Sequence, residues 1–386
     1  MKILFDHQIF TFQKYGGISR YFAQIISNLP TDIKADIGIK YSDNEYLKQT
    51  HIVNNLQRAY QPIDLFFPKL KFPFKRKIFK YIQRKNLLNY PTAYDQNKKI
   101  TIELLKKQDF DIFHPTYFDD YFLDYIGSKP FILDIHDMIY EIYPEMFNDP
   151  ETSRRKATLA HRANHIIAVS EKTKQDIIQI LDVPENKISV IYRGNSFSKS
   201  ILTPSIELPK DYLLFVGERD NYKNFIFLLA AIHPILKENQ NLILLCTGKP
   251  FNETEKSYIS NLSIESQLIT MSVNDSELFW LYSHAKAFIF PSYYEGFGIP
   301  ILEAFQAGCP VLLSNTSCFP EIAQDAALYF NPKSMDEIRS TINKVLNNED
   351  LRKELIAKGY ERSKAFSWEE AVNKTIKIYE SVLNDT

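Results

Sequence analysis

The sequence predicts an α/β protein in two halves, each built on a parallel sheet. Three observations lead there. Short apolar runs alternate with longer helical patterns along the chain, which fits strands joined by crossover helices better than a sandwich or a bundle. The 386 residues, 45% hydrophobic and 14% aromatic, are enough to fill two cores. The stretch Gly194–Pro209, rich in Ser and Pro and without a sustained period, reads as a linker, so the boundary is expected near residue 200.

In the first half, residues 1–199, strands are expected at Lys2–His7, Asp36–Tyr41, Ile112–His114, Phe131–His136, Ile166–Ser170 and Ile188–Tyr192. Helices are expected at Ile18–Asn28, Ile102–Lys107, Ser153–Ala163 and Glu171–Leu181. In the second half, residues 200–367, strands recur at Tyr212–Val216, Leu242–Thr247, Ala287–Pro291, Val311–Ser314 and Ala327–Phe330. Between them lie helices near Phe225–Lys237, Glu253–Leu262, Ser276–Ser283, Ile301–Ala307 and Ile338–Leu346. The tail Trp368–Leu383 reads as an amphipathic helix, with Ser367 as N-cap and Glu369 and Glu370 in its first turn.

Charge and cysteines narrow the function classes. Lys and Arg number 46 against 47 Asp and Glu, a net charge of −1 that offers no global field to nucleic acid. Cys246, Cys309 and Cys318 lie in or beside apolar segments without metal-like spacing, as expected of reduced, buried thiols. Met1–His7 enters a strand pattern directly, with no leader-like apolar core and no long uninterrupted apolar run anywhere. The expected location is cytoplasmic, with peripheral contact at the inner face of the cell membrane as an added possibility.

The most informative segment is Pro291-Ser-Tyr-Tyr-Glu-Gly-Phe-Gly-Ile-Pro-Ile-Leu-Glu303. It reads as a buried strand end, a turn loosened by Gly296 and Gly298, and a helix with Pro300 in its first turn. Amides at such a helix start favour a bound anion, and the carboxylates of Glu295 and Glu303, eight positions apart, can accept bonds from sugar hydroxyls. A diphosphate between two hydroxyl-rich rings, as in a nucleotide sugar, fits both features. With Glu303-Ala-Phe-Gln-Ala-Gly-Cys-Pro-Val311 and Pro320-Glu-Ile-Ala, the stretch resembles the family-4 (group 1) retaining glycosyltransferases and their pair of spaced glutamates, and is similar to bacterial lipopolysaccharide, O-antigen and capsule mannosyltransferase-like enzymes.

That resemblance implies the GT-B fold: two facing Rossmann-like domains with a cleft between them, the last helix crossing back onto the first domain. It also implies transfer of a hexose-type sugar from a nucleoside diphosphate donor to a glycan or lipid-linked glycan acceptor, without metal or other cofactor, in assembly of a surface polysaccharide. Glu295 and Phe297, with Gly296 and Gly298, would then face the donor sugar and diphosphate, and Glu303 the ribose. Gly16 and Gly17 form a strand-to-helix turn at the carboxyl end of a strand, where open α/β sheets bind ligands. The resemblance sets them near diphosphate or acceptor. His136, in Leu133-Asp-Ile-His-Asp-Met-Ile, ends a strand and matches the family's histidine beside the transferred sugar. Arg219 and Lys223, in Gly217-Glu-Arg-Asp-Asn-Tyr-Lys-Asn224, follow a strand and suit a departing diphosphate as planar fork and point charge. In relatives, main chain near Ser272 and Val273 holds the base, which leaves no side-chain trace of which base.

Two other patterns are set aside. Asp109-Phe-Asp111 precedes its strand and so lies away from the cleft. His161 and His165 lack the glutamate of a zinc-binding helix. The segment Lys69–Lys85 carries eight basic residues and no acid. There Phe74, Ile78, Tyr81 and Ile82 share one helical stripe, which is expected either to pack on the protein or to lie on an anionic membrane. Two other functions stay open: a catalytically silent nucleotide-sugar-binding partner of another transferase, and a GT-B nucleotide-sugar epimerase. Intact Arg219, Lys223, Glu295 and Glu303 weigh against the first, and a need for acceptor separates off the second.

Overall fold

The computed structural model describes residues 1–385 apart from 51, 71, 86–89, 196–207 and 220. The expected boundary near residue 200 and most of the linker lie outside the described residues. Among the described residues, six strands form between residues 2 and 190: β1 (Lys2–Phe5), β2 (Lys34–Ile37), β3 (Ile112–His114), β4 (Ile132–Ile135), β5 (His165–Ala168) and β6 (Ile188–Val190). Six more follow between 212 and 330: β7 (Tyr212–Phe215), β8 (Ile243–Thr247), β9 (Leu268–Met271), β10 (Ala287–Phe290), β11 (Val311–Ser314) and β12 (Leu328–Phe330). Strands expected to run one to four residues further end where their chains leave the ladder. The strand expected at Asp36–Tyr41 shifts to Lys34–Ile37 because Lys2–Phe5 pairs there.

Every named pairing is parallel, so both faces of each sheet need covering, and helices supply the cover. In the first half the order is β2-β1-β3 and β4-β5-β6, joined by a bridge between Phe113 and Phe131. In the second half it is β12-β11-β10-β7-β8-β9, the doubly wound order. Winding direction reverses between β1 and β3 and again between β7 and β10, where each pair is hydrogen-bonded. At such reversals the loops leaving the two strands diverge, and the carboxyl-end crevice between them is where open α/β sheets take ligands.

The helix Glu171–Leu181 seats its N-terminus on the second half. Ser170 Oγ donates to the Gly296 carbonyl at 2.7 Å, and the Glu321 carboxylate accepts from the amides of Glu171 at 2.7 Å and Lys172 at 3.1 Å. A carboxylate there satisfies orphan amides and complements the helix dipole. Tyr294 adds a bond from its hydroxyl to Asp176 at 2.7 Å.

The final helix, Trp368–Asn384, is capped by Ser367 and buries Ala371, Val372, Tyr379 and Val382 in the same core as Ile3, Phe5 and Phe22 of the first half. Each such valine contributes ~1.5–3 kcal/mol when fully buried. Tyr379 also bonds His114 Nδ1 at 2.7 Å, and His114 Nε2 meets Asp134 at 2.5 Å, so the tail is tied to β3 and β4. Among the described residues no helix is long and apolar enough to cross a membrane.

The basic segment corrects one expectation. Its helix, Lys75–Arg84, packs through Phe79 against Phe66 and Tyr90, not through the anticipated stripe. Phe74 (68% exposed), Ile78 (42%) and Tyr81 (60%) face outward. The helix starts only after Phe74, which adopts a left-handed conformation, and Phe79 is the residue it buries.

Candidate active site

The second-half reversal carries the charged cluster. The chain leaves β10 through Pro291–Glu295 and turns at Gly298, whose φ of 89° is the left-handed region open to glycine. Gly298 caps the helix Ile299–Ala307, and Pro300 lies in the first turn. From the loop after β7, Lys223 reaches across to Glu295, Nζ to Oε1 2.5 Å. The two side chains are 14% and 15% exposed, and the Lys223 ammonium lies over the rings of Tyr222 and Phe290. Ser317 pins the Glu295 backbone: its Oγ accepts from the Glu295 amide at 3.0 Å and donates to the Glu295 carbonyl at 2.5 Å.

Glu303 is the fifth residue of that helix and is buried. Its Oε1 accepts from Arg20 Nη1 at 3.0 Å and its Oε2 from the Tyr282 hydroxyl at 3.3 Å. Arg20 comes from the first-half helix Gly17–Ser27, so this ion pair bridges the halves, and Asp275 approaches the same guanidinium at 3.4 Å. Burial raises the Glu303 carboxyl above its ordinary range, and Arg20 pulls against that shift.

His136 closes the opposite wall. It lies one residue beyond β4, is buried, and has its ring against Tyr21 and Phe22. Arg193 Nη2 contacts His136 Nδ1 at 2.5 Å. An arginine can only donate, so Nδ1 accepts and the ring proton sits on Nε2, a buried atom with no partner among the described residues. Burial first, and the Arg193 charge second, hold the imidazole well below its usual range, so it stays neutral. A Cβ on Gly296 would lie 1.7 Å from the His136 carbonyl oxygen, so the close approach of these two motifs requires glycine. A Cβ on Gly17 would come within 3.3 Å of Ile299, which brings the first-half glycine turn against the start of the second-half helix. Gly16 caps the Gly17–Ser27 helix.

Arg219 and Lys223 each already hold a carboxylate partner. Arg219 Nε bonds Glu255 at 2.8 Å and its Nη2 bonds the Lys249 carbonyl at 2.7 Å, while the guanidinium stacks on Phe225 and Phe251. A side chain only 6% exposed needs such a counter-charge. Glu303 is likewise already paired. The ring of Phe297 is core, against Tyr192 and Phe366, so only its main chain is left for a ligand. Val273 lies half-buried between β9 and the helix Asp275–His284, at the edge of the sheet.

The set-aside patterns lie elsewhere. Asp109 and Asp111 both bond Lys2 at the start of β1, and His165 meets Ser189 at 2.9 Å. Among the described residues no group of three or more His, Cys, Asp or Glu is placed to hold a metal. Sequence reasoning missed Arg20, Arg193, Tyr282 and Glu255. Arg193 had a signal, since it follows β6 as His136 follows β4, and cations at strand ends are cleft candidates.

Two parallel α/β halves, with the tail helix returning to pack on the first of them, define a GT-B glycosyltransferase architecture. Solved structures agree on the fold: sucrose-phosphate synthase of Thermosynechococcus elongatus superposes with a TM-score of 0.72 at 16% identity over 100% of both chains. Anabaena HepE, solved with UDP and glucose, gives 0.71 at 17% over 99% of this chain and 100% of that one. The family model "Glycosyl transferases group 1" matches residues 203–362, and "Glycosyltransferase Family 4" matches 50–196. The chain belongs to this group 1, family 4 class of glycosyltransferases. It is similar to O-antigen chain mannosyltransferase B of Escherichia coli, 30% identical over 56% of this chain and 60% of the relative. It is also similar to O-antigen chain mannosyltransferase RfbU of Salmonella typhimurium, 31% identical over 55% and 59%. The serotype-specific mannosyltransferase WbdA of Escherichia coli is 27% identical over 65% of this chain but only 33% of its own length. The matches thus span about three fifths or less of these curated relatives.

Proposed function

We propose that the protein is a retaining transferase that moves a hexose from a nucleoside diphosphate onto a glycan acceptor in assembly of a bacterial surface polysaccharide. The observation that carries this is the Lys223–Glu295 pair at the β7/β10 reversal, joined to the buried, neutral His136 through the Gly296 contact. The three relatives described above are named as mannosyltransferases, which favours a mannosyl donor.

Each group has a role in this reaction. Lys223 has further N–H donors beyond the one given to Glu295, and these meet the diphosphate. The amides at the start of the Ile299–Ala307 helix add positive potential. Arg219, matched by Glu255, holds the Gly217 and Gly248 turns beside the diphosphate and adds its charge at longer range. Glu295 binds sugar hydroxyls, Glu303 the ribose, and the unpartnered His136 Nε2–H donates to the transferred sugar. The acceptor oxygen bonds to the anomeric carbon on the face from which the diphosphate leaves. The old C–O bond breaks with its electron pair going to phosphate, and the hydroxyl proton passes to that oxygen. Positive charge held ready where negative charge develops is the main source of acceleration.

Calorimetric titration tests the division of roles. Glu303→Ala weakens both the nucleotide sugar and the free nucleoside diphosphate, whereas Glu295→Ala weakens only the nucleotide sugar. Equal losses for both ligands in both variants contradict it. Retention is read separately, from the anomeric configuration of product against donor.

The acceptor side includes an anionic lipid surface in this proposal. Its support is the outward stripe Phe74, Ile78 and Tyr81, continued by exposed Phe67 and Leu70 and set among Lys75, Arg76, Lys77 and Lys80. Each basic residue near such a surface contributes ~1 kcal/mol, so changing those four to Ser lowers partitioning onto anionic vesicles by roughly 100-fold or more. Wild-type protein that ignores anionic vesicles at low ionic strength overturns the membrane contact.

A further inference from the structure

Behind His136 runs a buried polar chain that the reaction above does not use. It begins at the tail. Tyr379, in the helix Trp368–Asn384, is fully buried, and its hydroxyl meets His114 Nδ1 at 2.7 Å. His114 Nε2 meets Asp134 Oδ2 at 2.5 Å, and Asp134 Oδ1 accepts from the Tyr21 hydroxyl at 2.9 Å, all three residues being buried. The Tyr21 ring then lies edge-on to His136, centroids 5.5 Å apart, with the Arg193 guanidinium 5.2 Å over its face. The tail meets this group a second time. A Cβ on Gly194 would lie 2.3 Å from the Trp368 amide nitrogen, so the residue after Arg193 packs flush on the first residue of the tail helix.

The bonds in this chain all point one way. Burial pushes the Tyr379 and Tyr21 phenols well above their ordinary range, so both keep their protons, and each has a single acceptor among the described residues. Tyr379 therefore donates to Nδ1, the His114 proton sits on Nε2, and that N–H and the Tyr21 hydroxyl both end on Asp134. Burial lowers the Arg193 guanidinium from its usual range, and Tyr21 with the carboxylates of Asp134 and Asp137 pulls against that. A buried cation thus faces a buried carboxylate across one aromatic ring, and such a charge needs its counter-charge. Arg193 depends on that ring. One of its N–H groups goes to His136, but its Nε is buried with no partner among the described residues, so the Tyr21 face and the opposed charge seat the guanidinium rather than a fork of bonds.

We propose that Tyr379, His114, Asp134 and Tyr21 are positioning residues that seat Arg193 on His136 Nδ1, so that the docked tail helix decides which nitrogen of His136 carries the proton. The effect on turnover rests on the transferase reading above, whereas the tautomer is a property of the protein alone. With Arg193 on Nδ1 the N–H stands at Nε2, the donor of that reaction; without it either ring nitrogen takes the proton, and molecules with Nδ1–H lack the donor. The test uses the full chain carrying ¹⁵N-labelled histidine, in which long-range ¹H–¹⁵N NMR reads the protonated nitrogen and His136→Gln assigns the signal. Wild-type His136 is the Nε2–H form. Tyr379→Phe, which removes one hydroxyl and keeps the ring, shows some Nδ1–H form; Arg193→Met shows more; Arg193→Lys, which keeps a donor, returns the ring to Nε2–H. Turnover of GDP-mannose or UDP-glucose falls about 10-fold or more in Tyr379→Phe and Arg193→Met, the scale of a slightly misplaced group, and the loss appears in kcat rather than in the KM for donor. Melting curves establish that the variants are folded, and if Arg193→Met is not, Tyr379→Phe decides alone. Wild-type His136 protonated on Nδ1, or a folded Tyr379→Phe protein with wild-type tautomer and kcat, overturns the proposal. A shifted tautomer at unchanged kcat overturns its effect on turnover. If the wild type turns over neither nucleotide sugar, the transferase reading loses its support, and the tautomer still decides the network.

Discussion

Replacing Lys223 by alanine lowers turnover by about 100-fold or more, the scale for losing one preorganised stabiliser of developing charge. The fold survives the change. Lys223 comes from a short turn at the cleft wall, and its ion-pair partner Glu295 keeps some solvent contact, with 15% of its side chain exposed. Steady-state rates with saturating donor, alongside a melting curve, separate chemistry from folding. A folded Lys223→Ala enzyme at full speed removes the leaving-group role.

Arg219→Ala fails in a different way. Glu255 is 5% exposed and remains behind when its guanidinium partner goes, and an uncompensated buried charge costs ~3–5 kcal/mol. The variant's urea midpoint drops accordingly, and pairing it with Glu255→Gln recovers much of the loss. The carbonyls of Lys249 and Pro250 also lose their donor, so recovery is incomplete. An Arg219→Ala protein that unfolds at the wild-type midpoint yet loses turnover shows instead that this guanidinium serves only the donor.

Much of the fold was legible because its signals are local. A buried parallel strand such as β10 is an unbroken apolar run, and the capped tail helix shows its period and its Ser367 cap in sequence. β9 was missed: Leu268–Met271 carries only four residues at the sheet edge, with Thr270 interrupting its short apolar run. The helix Glu349–Ser363 was missed for a related reason, since its first turns are mostly charged and expose most of their surface. The helix expected at Ile102–Lys107 begins nine residues earlier, at Ala93, where Thr92 and Asp95 form a capping box.

At the site, strand-end logic placed His136, Lys223 and Glu295, because the carboxyl ends of parallel strands all open on one crevice. Pairing was beyond it. Nothing local to Glu303 says that Arg20, 283 positions away, meets it, and nothing local to Arg219 points to Glu255. Those contacts exist because two charged side chains are buried by packing between elements, and burial forces each to find a counter-charge. Phe297 shows the converse, a motif residue whose ring serves the core while its backbone shapes the turn.

The central claim, a nucleoside diphosphate site at the β7/β10 reversal, is tested most directly by thermal-shift titration of the wild-type chain and Glu303→Ala with UDP, GDP, ADP and dTDP. The predicted result is stabilisation of the wild type by at least one of them, rising with ligand concentration as binding to the native state requires, and strongly reduced in folded Glu303→Ala. A wild-type protein that none of the four stabilises at millimolar concentration, or a Glu303→Ala variant stabilised to the same extent, contradicts it.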